Sequence, residues 1–109
     1  MLNLAEGMAA FKARDYTVAF KILKPIADSG EDEPQCIIAN MYHLGLGMEI
    51  NILEAVKWYR KSAEHGYSVA SNNLAGIYEV GDEGIEVDRT EAKKWRKKAR
   101  EQGFLHGPQ

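Results

Sequence analysis

Apolar residues recur along the chain at helical spacing, in six stretches separated by capping or glycine-containing turns. Ile38 and Tyr42, and later Leu74 and Tyr78, stand at i and i+4, the interval that brings side chains onto one face of a helix. The pattern predicts helices near residues 3 to 13, 16 to 29, 34 to 44, 52 to 65, 68 to 80 and 89 to 102, with no sheet. The ends have local causes. Asp15, Asn51 and Asp88 each precede a helical run, where a side-chain oxygen can accept from the first free backbone N–H groups. Glu54 and Glu91 stand three residues after two of them, as in a capping box. At the far ends Gly30, Gly66 and Gly103 supply the left-handed conformation that closes a helix.

The same elements repeat. The run Ala55-Val56-Lys57-Trp58-Tyr59 through Ala63-Glu64-His65-Gly66 returns 37 residues later as Ala92-Lys93-Lys94-Trp95-Arg96 through Ala99-Arg100-Glu101-Gln102-Gly103. A fainter copy, Ala19 to Gly30, precedes it by 36 residues. The glycine turns Gly45-Leu46-Gly47 and Gly81-Asp82-Glu83-Gly84 make each repeat an antiparallel helix pair. A single pair cannot bury its apolar face, so the pairs must stack. Ala39, Ala75 and Gly76 read as places where a neighbouring helix comes close. Trp58 and Trp95 share one position and read as core residues whose loss to alanine would cost roughly 3 to 5 kcal/mol.

These residues resemble a known family. Ala70, Leu74, Ala75, Tyr78 and Gly81, followed by Asp88, Ala92, Trp95, Ala99, Glu101 and Gly103, are similar to the Sel1-like repeat, a branch of the tetratricopeptide superfamily. Ala39, Tyr42, Gly45, Gly47, Asn51, Ala55, Trp58, Ala63, Glu64 and Gly66 fit the same pattern one repeat earlier. The first unit, through Gly7, Ala10, Phe11, Asp15, Tyr16 and Ala19, has a shorter turn and looks like an ordinary tetratricopeptide unit. The resemblance implies a single all-α domain over 1–109, a right-handed solenoid of three stacked helix pairs. Their bounds are about 3–30, 34–66 and 67–103, with a tail at 104–109. In that superfamily the first helix of each pair lines a concave groove. By position the groove residues would be Leu4, Met8 and Phe11, then Cys36, Asn40 and His43, then Asn72, Gly76 and Glu79. The groove would be apolar at one end and polar at the other, with Met8 and Phe11 anchoring a side chain and Asn40 and Asn72 bonding a peptide backbone. Met8 and Phe11 can equally pack the N-terminal pair, and the asparagines can simply face water.

Composition and charge narrow the rest. At 45% hydrophobic and 28% charged the chain is an ordinary globular domain. No apolar run reaches the roughly 20 residues of a membrane span, and no export signal is expected at the N-terminus. The single Cys36 cannot form an intramolecular disulfide, which places the expected location in the cytoplasm. The net charge of -2 hides a separation. Acids gather at Glu31-Asp32-Glu33 and Asp82-Glu83, and bases at Arg89, Lys93, Lys94, Arg96, Lys97, Lys98 and Arg100. The basic cluster reads as the solvated outer face of a terminal helix in preference to a nucleic-acid site. Its one aromatic, Trp95, is needed in the core and leaves none for base stacking. Phe104 stands where a further repeat would begin, as a cover for the last pair or an apolar edge open to self-association.

The residues give no recognisable catalytic apparatus. Cys36, Asn40 and His43 share one helix face, but they are too few for a zinc site, and His65 and His106 are not spaced to complete one. A cysteine nucleophile would lack an identified base and oxyanion site. No metal or cofactor is expected. The resemblance implies a protein-binding adaptor or scaffold. A small neutralising, immunity-type protein that caps a toxin or enzyme is the alternative, and an enzyme with an unrecognised site is the third reading.

Overall fold

The computed structural model describes residues 3–103; the tail with Phe104 and His106 lies outside them. Six helices follow one another: α1 (Leu4–Lys12), α2 (Tyr16–Asp28), α3 (Asp32–Leu44), α4 (Ile52–Glu64), α5 (Ser68–Val80) and α6 (Arg89–Glu101). Among the described residues the only β feature is an isolated bridge between Asp82 and Ile85 in the last turn. Each helix packs against the next in the chain, which is the arrangement of stacked antiparallel pairs in a solenoid.

The helix starts are fixed by the side chains expected to fix them. Asp15, Asn51 and Asp88 accept from the backbone N–H groups of Val18, Glu54 and Glu91 at 3.4, 3.1 and 3.0 Å. The reciprocal half of the capping box is absent among the described residues. The N–H of Asn51 donates instead to Tyr42 O, and that of Asp88 to Tyr78 O, both at 2.8 Å. Each clamps the end of the first helix of a pair to the start of the second. This frees Glu91 to accept from the Trp95 indole at 3.2 Å. Helix α3 begins at Asp32, two residues before the expected start, because a proline in the first turn lacks only an N–H that the helix does not use. Gly30, Gly66 and Gly103 close their helices at φ of 107°, 99° and 99°.

The core runs the length of the stack. Leu23, Ile38, Met41 and Leu74 are fully buried, and Tyr59, Trp95 and Trp58 nearly so. Gly7 lets α1 approach α2 closely, since a Cβ there would lie 2.5 Å from Leu23 Cδ2. Gly76 departs from the expectation of a close helix approach: a Cβ there would meet nothing within 4 Å. Between pairs, a buried amide catches a helix-end carbonyl. The Gln35 amide donates to Ala27 O at 3.1 Å while its oxygen meets His65 Nδ1 at 3.2 Å. One repeat on, Gln102 donates to Ala63 O at 3.0 Å and accepts from Ser71 Oγ at 2.6 Å. The glutamine has moved from the first helix to the end of the second, and either way the carbonyl, which already accepts from Gly30 or Gly66 N–H, gains a second donor.

Candidate partner-binding cleft

A cleft of about 420 Å³ opens between the second and third pairs. Helix α3 contributes Asn40, His43 and Leu44; α5 contributes Asn72, Asn73, Gly76, Ile77 and Val80; Tyr59, Asp82 and Arg96 complete the wall. The first helices of the pairs therefore supply most of the lining, as the groove expectation requires.

The polar groups are held in two sets. Tyr59 Oη donates to Asn40 Oδ1 at 2.6 Å and lies 3.1 Å from His43 Nδ1. Its one proton goes to Asn40, so His43 donates to the phenol oxygen through Nδ1. Nε2 is left 3.8 Å from Asp82 Oδ2, an ion pair only when the ring is protonated. The two rings meet edge to face at 5.7 Å. Burial, with the Cys36 thiol adding to it, pushes the Tyr59 phenol up from its ordinary pKa, and the Asn73 side chain opposes the shift. The phenol is therefore a fixed neutral donor. In the second set, Arg96 donates twice to Glu79 Oε2, at 3.2 and 2.8 Å, and once to Asn72 Oδ1 at 3.1 Å. Both asparagines thus have their oxygens engaged, and their NH2 groups are what they offer a partner.

The structure gathers Asn40, His43, Asn72 and Gly76 in this cleft and sends the other candidates elsewhere. Glu79 is exposed beside it, paired with Arg96. Leu4, Met8 and Phe11 are half-buried against the core of the first pairs and do not line the cleft. Phe11 sits edge to face with Tyr16 at 5.7 Å. Cys36 corrects the expectation outright: it is 2% exposed and packs in the core. It shares the helix face of Asn40, but one turn earlier that face is covered. Burial and the charges of Glu33 and Asp32 push the thiol up to about 12, which removes the thiolate a nucleophile or metal ligand needs. Among the described residues no three His, Cys, Asp or Glu side chains cluster as a metal site. Nor is any described helix long and apolar enough to cross a membrane.

The sequence reading missed Tyr59 and Arg96. They occupy one register, 37 residues apart, where α2 has Leu23. A core position that changes from Leu to Tyr to Arg was the available signal, because a repeat that varies there is adapting to what lies beside it.

The Sel1 repeat family profile matches residues 35–67 and 68–104. The chain belongs to the Sel1 repeat family. Residues 3–30 lie outside the two matched repeats. No curated protein matches the chain. Among solved structures, it is similar to a protective antigen with an SLR fold, present in uropathogenic Escherichia coli strains. That similarity is 31% identity and a TM-score of 0.88, over 93% of this chain and 22% of that one. A Sel1 repeat protein from Oxalobacter formigenes is 37% identical with a TM-score of 0.87, over 94% of this chain and 42% of that one. The chain thus spans less than half the length of either neighbour. Among these Sel1 repeats the cleft lies between the two that the profile matches.

Proposed function

We propose that this Sel1 repeat chain is an adaptor or scaffold module, acting in the cytoplasm without a cofactor, that holds an extended segment of a partner protein in the cleft. The observation that carries the reading is Gly76. A glycine in the middle of a helix costs about 1 kcal/mol relative to alanine. At Gly7 that cost has a packing reason, but at Gly76 a Cβ would meet nothing within 4 Å. The space lies in the cleft wall, where a partner backbone can come close. The NH2 groups of Asn40 and Asn72 on either side suit the carbonyls of an extended chain, and Ile77, Val80 and Leu44 give its side chains apolar footing. Leu4, Met8 and Phe11 would continue the track along the first pair.

The test is to select peptides from a random display library on the parent chain and titrate the best against variants. Gly76→Leu puts a side chain into the space that is open at its Cβ and should weaken binding at least roughly tenfold, while Gly76→Ala, whose one methyl group meets nothing, keeps the fold and reports the smaller loss. Asn40→Ala and Asn72→Ala should each weaken it several-fold. Peptides that bind Gly76→Leu as tightly as the parent would place recognition elsewhere and refute the reading.

A further inference from the structure

A second groove, of about 590 Å³, lies on the outer side of the last pair. Its chemistry is unlike the cleft's: Ala92 forms the floor, and Arg89, Lys93, Arg96, Lys97 and Arg100 surround it with Glu79 as the one carboxylate. Arg96 is paired with Glu79. The other four cations have no ion-pair partner among the described residues.

The repeat says what this face is built to receive. Lys93 shares its register with Phe20 of α2, which meets Tyr42 of α3 edge to face at 6.2 Å. Lys97 shares its register with Arg60 of α4, which donates to Tyr78 Oη of α5 at 2.7 Å. Arg100 stands where α2 has the buried Ala27 and α4 the buried Ala63. In both earlier pairs this face of the second helix carries the first helix of the next pair. In α6 the shape of a helix seat is kept: the cation at the Lys97 register is retained from Lys24 and Arg60, and at Arg89, Lys93 and Arg100 apolar or small residues of the earlier repeats are replaced by cations, along about 16 Å of helix at about 1.5 Å per residue.

We propose that this groove is a second docking surface, adjoining the cleft at Arg96 but facing outward, which takes an acidic helix of a partner protein. Carboxylates at i, i+4 and i+8 on that helix would run beside Arg89, Lys93 and Lys97. Alanine or leucine between them would rest on Ala92. A nucleic acid is the poorer fit, because Trp95, the aromatic residue of α6, is 1% exposed and unavailable for stacking.

The probe is a blocked synthetic peptide of about 18 residues, long enough to become helical on binding, with glutamates at that spacing and alanine and leucine between. A scrambled peptide of the same composition and a short DNA duplex are the comparisons, each titrated by calorimetry at two salt concentrations. The helical peptide should bind at least roughly tenfold more tightly than the scrambled one, gain helicity, and weaken with salt. Lys93→Glu with Lys97→Glu should weaken it at least tenfold, and Lys93→Ala with Lys97→Ala by less. Gly76→Leu should leave it unchanged, which separates this surface from the cleft whatever happens there. Equal binding of the scrambled peptide, tighter binding of DNA, or indifference to both double variants would overturn the proposal. So would self-association of the parent chain, at the titration concentration, that Lys93→Glu with Lys97→Glu abolishes.

Discussion

Trp58 and Trp95 occupy one position of the repeat and differ chiefly in what the indole N–H meets, so replacing each by phenylalanine tests the packing account. Both are buried, at 3% and 1% exposed. Both have cations over the ring: Lys61 at 4.6 Å and Lys24 at 5.4 Å for Trp58, and Lys94 at 5.0 Å, Arg60 at 5.4 Å and Lys98 at 5.5 Å for Trp95. The difference is the indole N–H. That of Trp95 donates to Glu91, and that of Trp58 has no partner among the described residues. Exchange to phenylalanine loses roughly 40 Å² of apolar surface and leaves a small cavity, about 1 to 2 kcal/mol at either site. At position 58 it also removes an orphaned donor, which returns about 1 to 3 kcal/mol. At position 95 it removes a bond to a half-exposed carboxylate and adds about 1 to 2 kcal/mol to the cost. Trp58→Phe should therefore be close to neutral. Trp95→Phe should cost about 2 to 4 kcal/mol, or a Tm lower by about 10 to 20 °C in a domain of this size. Urea unfolding followed by far-UV circular dichroism reads both, and an equal loss at the two sites, or a larger one at 58, would refute the reasoning.

The two helical glycines should respond in opposite directions. Gly76→Ala should raise stability by about 1 kcal/mol, whereas Gly7→Ala should lower it by roughly 1 to 2 kcal/mol because the new methyl group overpacks Leu23; thermal melts of the pair decide it. Gln35→Ala and Gln102→Ala should each cost about 0.5 to 1.5 kcal/mol by removing the second donor to a helix-end carbonyl that keeps the N–H of Gly30 or Gly66, measured by the same unfolding curves. Cys36 predicts an alkaline limit. Its folded pKa, near 12, lies above the ordinary 9.0, so the folded state holds the proton longer. The stability this contributes is complete below pH 9 and is lost as pH rises towards 12. Urea midpoints between those pH values should fall less steeply for Cys36→Ala than for the parent, and iodoacetamide at pH 8 should label the folded thiol only slowly.

What was legible in the sequence was local or periodic. Asp15, Asn51 and Asp88 act within three residues of themselves, and Gly30, Gly66 and Gly103 act on their own backbone, so each could be assigned from neighbours in the chain. The period carried the pairing and with it the burial of Trp58 and Trp95. What failed depended on partners far along the chain. Glu91 was assigned to the backbone of Asp88, but that N–H goes to Tyr78 O, and the carboxylate serves Trp95. Cys36, Asn40 and His43 do share a face of α3, yet helical spacing cannot say that this face is roofed over at Cys36 and open at Asn40. Gly76 reads in the sequence both as a close-approach glycine and as a groove position, and only the second holds, because composition cannot tell a filled space from an empty one. The exchange of roles among Gln35, His65, Ser71 and Gln102 spans about thirty residues in each case, and only the assembled stack displays it.

The central claim is that a partner segment lies in the cleft beside Gly76, and the most direct measurement is an amide-shift map of the labelled chain titrated with a selected peptide. The account predicts shifts concentrated on the backbone amides of Asn40, His43, Asn72, Gly76 and Val80 and on the side-chain NH2 groups of Asn40 and Asn72, with Lys93, Lys97 and Arg100 little moved. Shifts confined to α6 or to the outer faces of α2 and α4, with the two asparagine side chains unmoved, would contradict it.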